Sequence, residues 1–260
     1  MPLHRFSRTE LLIGSKGLES LASRHVMICG IGGVGSYAAE ALGRAGIGQI
    51  TLVDFDDICL TNVNRQLHAL SSTVGQPKVE VMATRLRDIN PTAVISPVKA
   101  FFSQENAAEL LTPRPDYVLD AIDHFTAKAA LITICRELRV PVISSMGAAN
   151  KLDPTKIQVA DISATRNCRM ARSMRKMLRK AGIESGVPVV YSTEGHRELS
   201  PAASHCGTDC ICPNRGEQVF SCDNRRVILG SISYIPSIFG LTMAGVVVNE
   251  LLKQNQVAIS

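Results

Sequence analysis

The fold is decided by the stretch His25-Val-Met-Ile-Cys-Gly30-Ile-Gly32-Gly33-Val-Gly35-Ser-Tyr-Ala-Ala-Glu-Ala-Leu-Gly-Arg-Ala45. A short apolar run gives way to clustered glycines, and Ala and Leu then recur at helical spacing from Val34 to Ala45, which predicts strand, turn and helix. At such a junction the backbone N–H groups and the helix N-terminus can hold phosphate, and glycine permits close approach. A second strand, Gln49 to Val53, ends at Asp54, where an acidic side chain can accept hydrogen bonds from a ribose diol. An adenine nucleotide is therefore expected.

Outward from this unit the pattern repeats. Helical spacing over Val74 to Asn90 stops before Pro91, and a third strand is expected near Ala93 to Val98. Helices over Ser103 to Leu111 and Phe125 to Leu138 bracket a strand at Tyr117 to Ala121, and Pro141 to Ser145 supplies another. Strands alternating with helices imply βαβ units, so the expected class is α/β: a Rossmann-like, mainly parallel sheet flanked by helices. Residues 1–24 read as an N-terminal arm with a short helix, residues 25–150 as the nucleotide-binding core and residues 151–260 as a substrate-side extension, all in one domain. In the extension, Lys156 to Asp161 and Val187 to Val190 read as strands, with a basic helix between them and a Cys-rich loop over 192–226. From Val227 to Asn249 there is no charge. That is the length of a bilayer-spanning helix, about 20 residues, but Gly230, Pro236, Gly240 and Gly245 interrupt it. A helix starting at Pro236 reaches only Asn249 before Glu250, so a buried core helix is expected rather than a membrane contact.

The 260 residues are 45% hydrophobic and 20% charged, with 28 Lys and Arg against 23 Asp and Glu and a formal charge of +5. That is a globular balance, and a chain of this size needs no disulfides to fold. Glycines and prolines are scattered without a period, which excludes collagen-like, solenoid and low-complexity readings. Arg5, Arg8 and Glu10 interrupt any secretory pattern at the Met1 end, so the eight Cys are expected to be reduced thiols in the cytoplasm.

The residues after Asp54 separate the site from that of a dehydrogenase. In Asp54-Phe-Asp56-Asp57-Ile-Cys-Leu-Thr-Asn62-Val-Asn64-Arg65-Gln66 an amide, a guanidinium and a second amide lie beyond the ribose position, and Gln76-Pro77-Lys78 opens a helix. A bound diphosphate needs no such apparatus, whereas a reacting triphosphate does, because the departing pyrophosphate must be neutralised. Leu119-Asp120-Ala-Ile-Asp123 ends the fourth strand, where a carboxylate beside a triphosphate suits Mg²⁺.

The arrangement Gly30-x-Gly32-Gly33-x-Gly35, Asp54-x-Asp56, Asn62-x-x-Arg65-Gln66, Lys78 and Asp123 resembles the ThiF-like, ubiquitin-activating superfamily of carboxylate adenylyltransferases, from about Arg5 to Ser145 and again in the last helix. The resemblance implies that the glycines hold the phosphates of ATP and that Asp54 binds ribose. Asn62, Arg65 and Lys78 would contact the triphosphate, with Asp56 and Gln66 in the same nucleotide site, and Asp123 would hold Mg²⁺. Arg5-Phe-Ser-Arg8 looks like the family's arginine segment, which reaches into the neighbouring subunit's site. A homodimer is thereby implied, with Arg8 as the acting residue and Arg5 in reserve. Arg65, Lys78, Asp123 and Arg8 are then the groups on which turnover depends.

Relatives that activate ubiquitin-like proteins often carry an acyl-accepting Cys, and many hold zinc through paired Cys-x-x-Cys motifs. Neither Cys-x-x-Cys pair occurs in this sequence. The cues Gly30-Ile-Gly-Gly-Val-Gly-Ser36, Arg44-Ala-Gly-Ile-Gly48, Asp56 to Gln66, Asp120-Ala-Ile-Asp123 and Ala127-Lys128 instead resemble the branch of tRNA threonylcarbamoyladenosine dehydratases. That resemblance implies ATP-dependent adenylation of a threonyl carboxylate on a modified adenosine beside the anticodon, then ring closure with loss of AMP. Two rival readings stay open: an adenylyltransferase for a ubiquitin-like sulfur-carrier protein, and a nucleotide-binding regulatory protein without turnover. Docking of a sulfur-relay partner of the cysteine desulfurase type is also left open.

A nucleic-acid substrate should leave an electrostatic footprint. Between Ile162 and Ile183 the charged residues are Arg166, Arg169, Arg172, Arg175, Lys176, Arg179 and Lys180, with no acidic residue among them. Met170, Met174, Met177 and Leu178 make an apolar stripe on the same helix, so the cations cover its other faces and are candidates for tRNA phosphate contacts. Cys206, Cys210, Cys212 and Cys222, with His205 adjacent, suit a structural zinc or iron–sulfur site or remain free thiols, because their spacing matches no standard finger. Cys29, Cys59, Cys135 and Cys168 read as isolated core or loop residues, and His68 and His124 as neighbours of the site rather than catalytic groups.

Overall fold

The computed structural model describes residues 3–195, 197 and 229–257. Among these residues seven strands form one sheet, in the order β3-β2-β1-β4-β5-β7-β6. They are β1 (His25–Cys29), β2 (Gln49–Val53), β3 (Val94–Val98), β4 (Tyr117–Asp120), β5 (Val142–Ser145), β6 (Ile157–Asp161) and β7 (Pro188–Ser192). All neighbours pair in parallel except β6, which runs antiparallel to β7 at the edge. The central strands are buried on both faces, which is why they read as continuous apolar runs rather than alternating ones. Because β7 pairs with β5, the region after residue 150 extends the same sheet.

Seven α-helices are described: α1 (Ser7–Ala22), α2 (Gly35–Ala45), α3 (Lys78–Ile89), α4 (Ala107–Leu110), α5 (Phe125–Glu137), α6 (Arg169–Lys180) and α7 (Tyr234–Val257). The core on one face of the sheet joins Ile28, Ile50 and Leu119 to Ala38, Leu42, Met82, Leu86, Phe239 and Val247. A second cluster, with Met27, Val118, Leu131 and Cys135, fills the other face. The α6 stripe Ala171, Met174 and Leu178 packs with Ile132, Val187 and Val189 in a third.

Two expectations change. The helix expected over Ser103 to Leu111 is the single turn α4, because Asn106 binds back upstream: its Oδ1 accepts from the Ser103 N–H at 2.9 Å and its Nδ2 donates to the Phe101 carbonyl at 2.8 Å. The last helix is longer than expected. It starts at Tyr234, so Pro236 falls in the first turn, where a missing N–H costs nothing. It continues through Glu250, whose carboxylate accepts the Tyr117 hydroxyl at 2.8 Å. A Cβ on Gly240 would lie 2.2 Å from the Val34 carbonyl oxygen, so glycine lets α7 lie tightly on α2. By length and composition Tyr234–Gln254 could cross a membrane, but Ile235, Phe239, Met243, Val247 and Leu251 are wholly buried in the core.

β2 and β3 lie on one side of β1, and β4 and β5 on the other. The strand order therefore reverses between β1 and β4, and the crevice at their carboxyl ends is where an open α/β sheet takes a ligand.

Candidate active site

The glycine loop leaves β1 at this reversal point and enters α2. Gly30 has φ +90°, and a Cβ there would lie 2.7 Å from the Ala121 carbonyl oxygen, while one on Gly35 would lie 1.8 Å from the Gly30 carbonyl oxygen. Glycine at these two places lets the loop fold on itself and press against the turn after β4. A Cβ on Gly32 would meet the Gln66 amide at 3.8 Å, and one on Gly33 the Arg65 backbone and side chain at 3.3–3.4 Å. The Asn62–Gln66 segment thus lies over the glycine loop.

Asp54 is buried at the end of β2, where Oδ2 accepts from the Ile31 N–H at 2.6 Å and Oδ1 from the Asp56 N–H at 2.8 Å. Burial pushes its carboxyl pKa up, opposed by the Lys78 charge. Lys78 is not a surface residue. It is 5% exposed and donates to Asp56 Oδ2 at 2.6 Å. Burial alone would lower its pKa, but Asp54, Asp56 and Asp123 outweigh burial and hold the ammonium more firmly protonated than usual. The result is a buried cation beside Asp54, whose carboxylate is bound to the glycine loop at the Ile31 N–H. Asn62 is buried and its Oδ1 accepts from the Cys59 N–H at 3.1 Å, while Arg65 is turned along its own segment by hydrogen bonds to the Thr61 carbonyl and Asn64 Oδ1, both 2.9 Å.

Asp123 is exposed at the rim and close enough to Lys78 to act on its charge. Among the described residues no group of three or more His, Cys, Asp or Glu could cage a metal. This donor set fits an ion that arrives with its nucleotide and takes one carboxylate plus phosphate oxygens, as Mg²⁺ does.

Three features add to the sequence reading, which places His68 and His124 near the site without their contacts. Phe55, Phe101 and His124 stack edge to face, with centroids 5.3 and 5.6 Å apart, beside the ends of β2 and β4. Two of the three directly follow Asp54 and Asp123, which was the available signal, and together they form an aromatic cluster that begins next to Asp54. His124 Nδ1 also caps α5. His68 is 2% exposed, and neither ring nitrogen finds a partner among the described residues. Burial, reinforced by the Lys78 charge, lowers its pKa to about 3. The third is Lys128, a lysine with no exposure that pairs with Asp120 at the end of β4.

Arg5 and Arg8 lie away from this chain's own crevice. Phe6 packs beside Gly46, at the far end of α2 from the glycine loop, and Arg5 donates to the Asp88 carbonyl near the end of α3. α2 alone separates them from the loop by about 16 Å. On α6, Arg169, Arg172, Lys176, Arg179 and Lys180 are exposed, as is Arg166 just before it. Arg175 departs from the expectation: it is half-buried and its guanidinium donates to the Thr165 hydroxyl and, at 3.0 Å, to the Thr165 carbonyl, which anchors the preceding turn. It is not among the exposed cations. Met170, in the first turn of α6, packs against Gly147 just beyond β5, so the basic face begins on the crevice side of the sheet. His205, Cys206, Cys210, Cys212 and Cys222 lie outside the described residues.

A family model described as the ThiF family matches residues 6–260. The tRNA threonylcarbamoyladenosine dehydratase of Bacillus subtilis (strain 168) is 46% identical over 255 residues, covering 98% of this chain and 97% of the relative. Crystal structures of Escherichia coli tRNA N6-threonylcarbamoyladenosine dehydratase superpose with TM-scores of 0.84 for its AMP complex and 0.83 for its ATP complex, at 36% identity over 97% of this chain and 95% of theirs. The molybdopterin-synthase adenylyltransferase of Escherichia coli is 38% identical over 151 residues, 57% of this chain and 59% of that protein.

Proposed function

The chain belongs to the ThiF family, and on that premise we propose that it is an ATP-dependent tRNA threonylcarbamoyladenosine dehydratase. The observation that carries this reading is Lys78, a buried ammonium held by Asp56 and favoured in its charged form by Asp54, Asp56 and the exposed Asp123, beside an Asp54 carboxylate that binds the glycine loop at the Ile31 N–H. A dehydratase relative 46% identical over 98% of the chain favours a tRNA substrate over a sulfur-carrier protein, since the molybdopterin-synthase adenylyltransferases match 57% and 72% of the chain at 38% and 33% identity.

A carboxylate is a poor electrophile until one of its oxygens becomes a leaving group. In the proposed reaction a threonyl carboxylate oxygen attacks the α-phosphorus of ATP, the bond from that phosphorus to the α,β-bridging oxygen breaks, and pyrophosphate departs with the bridging oxygen and its electron pair. The site's task is alignment and charge neutralisation. Glycine-loop N–H groups and the α2 N-terminus hold phosphate, Asp54 accepts from the ribose, and Lys78, Arg65 and Asn62 balance charge on the departing pyrophosphate. Asp123 would hold a Mg²⁺ ion that arrives with the nucleotide, and that ion would supply further neutralisation of phosphate charge. A nitrogen or oxygen within the threonylcarbamoyl group then attacks the acyl carbon and AMP leaves, so the net change is loss of water. No protein nucleophile is required, in keeping with the burial of Cys29 and Cys135, whose thiol pKa values are pushed up, the latter to about 12.

The exposed cations of α6 would track tRNA phosphates toward the crevice. A homodimer in which Arg8 serves the neighbouring site fits its distance from its own, and Leu11 and Leu12, 79% and 87% exposed on α1, offer apolar surface for pairing. Cytoplasmic action suits the buried thiols and the tRNA substrate.

The site assignment is tested by Asp123→Ala and Arg65→Ala. Each should abolish loss of water from the modified nucleoside in tRNA, measured by mass, while the circular dichroism spectrum stays that of the parent. Near-normal turnover in both refutes it, and an unchanged nucleoside alongside an adenylated carrier protein selects the rival reading.

A further inference from the structure

Lys128 sits in the first turns of α5, five residues beyond Asp123, and has no exposure; nor has its partner Asp120 at the end of β4. The Lys128 ammonium donates to Asp120 Oδ2 at 2.8 Å, to Ser144 Oγ at 3.2 Å and to the Ser145 carbonyl at 2.9 Å, so its three protons are all placed. Ser144 spends its own proton on Asp120 Oδ2, at 2.6 Å. The other carboxylate oxygen accepts from the N–H of Ile122 at 3.1 Å, the residue next to Asp123. The network therefore pins the ends of β4 and β5, the start of α5 and the short turn between them. That turn is also the surface against which Gly30 and Gly35 are pressed.

A buried ion pair is a poor device for stability alone, because apolar residues of equal volume commonly do as well, and such pairs are best explained by what they hold in place. No atom of Lys128 reaches solvent, so it cannot touch a ligand. We propose that Lys128, with Asp120 and Ser144, is a positioning residue that fixes the 121–124 turn so that Asp123 faces the phosphates on the glycine loop. The inference rests on the reading of Asp123 as the carboxylate that takes the divalent cation of a nucleoside triphosphate.

The test is calorimetric binding of ATP with Mg²⁺ and with a chelator, on the full chain. The ratio of the two affinities reports the contribution of the cation. In the charge-neutral double variant Asp120→Asn with Lys128→Met, the Mg²⁺ enhancement should fall about tenfold, as expected when an outer partner of a metal ligand is lost. Affinity for ATP in the chelator is the reference within each variant, so an effect on the glycine loop, which rests on the same turn, cancels from the ratio. Ser144→Ala, which removes one hydroxyl and leaves the ion pair, should reduce the enhancement in the same direction and covers the case in which the double variant does not fold. An undiminished enhancement in whichever of these variants fold overturns the positioning role. Asp123→Asn separates this from failure of the underlying reading: if that variant keeps the full enhancement, Asp123 does not take the cation, and the inference falls with it.

Discussion

His68 provides a perturbation whose size can be worked out from its surroundings. The ring is 2% exposed, has no hydrogen-bond partner on either nitrogen among the described residues, and lies within the field of the Lys78 ammonium. Its pKa is lowered to about 3, by burial first and by Lys78 second, against about 6.5 in an unfolded chain. Between these values the unfolded state binds a proton that the folded state refuses, so folding stability rises with pH across that window and is lost as pH falls through it. Each pH unit well inside the window is worth about 1.4 kcal/mol. From pH 7 to pH 5 the loss due to His68 is about 2 kcal/mol, since titration begins only near the unfolded value. His68→Met removes the titrating group and keeps an apolar filling. Urea denaturation of both proteins at pH 7, 6 and 5 should show the parent losing about 2 kcal/mol more than the variant. Parallel losses within about 0.5 kcal/mol would refute the claim that the folded state excludes the imidazolium.

Gly35→Ala forces a Cβ to within 1.8 Å of the Gly30 carbonyl oxygen, and should cost about 3 kcal/mol in urea denaturation and weaken ATP binding; normal stability and binding would mean that the loop opens freely. Reversing charge at Arg169, Arg172 and Lys176 should weaken tRNA binding across different sequences and flatten its dependence on salt by roughly two units of slope. ATP affinity should be untouched, and an unchanged salt slope places the tRNA elsewhere.

The parallel core is legible because its signals are local. Strands buried on both faces read as unbroken apolar runs, and the glycine loop, Asp54 and Lys78 occur at spacings that only a strand–turn–helix unit explains. Lys78 shows where local reading stops: its position at the head of α3 is visible in the sequence, but not that Asp54, Asp56 and Asp123, drawn from two other segments, act on its charge. Arg175 reads as a surface cation because its neighbours in sequence are cationic, although the turn at Thr165 claims it. The α7 helix reads as ending at Glu250 because a charge closes an apolar run, whereas the Tyr117 hydroxyl, far away in sequence, gives that carboxylate a partner. The roles of Lys128 and Ser144 emerge only once β4, β5 and α5 are assembled, since neither sits in a phosphate-binding pattern.

The most direct measurement tracks one oxygen atom. If tRNA carrying threonylcarbamoyladenosine with both carboxylate oxygens enriched in heavy oxygen is incubated with the protein, ATP and Mg²⁺, the acyl-adenylate route requires one heavy atom to leave on the phosphate of AMP. Mass spectrometry should find singly labelled AMP in proportion to the cyclised nucleoside, with unlabelled pyrophosphate. Cyclised nucleoside accompanied by unlabelled AMP, or by ADP and phosphate, would contradict activation of the carboxylate as a mixed anhydride with AMP.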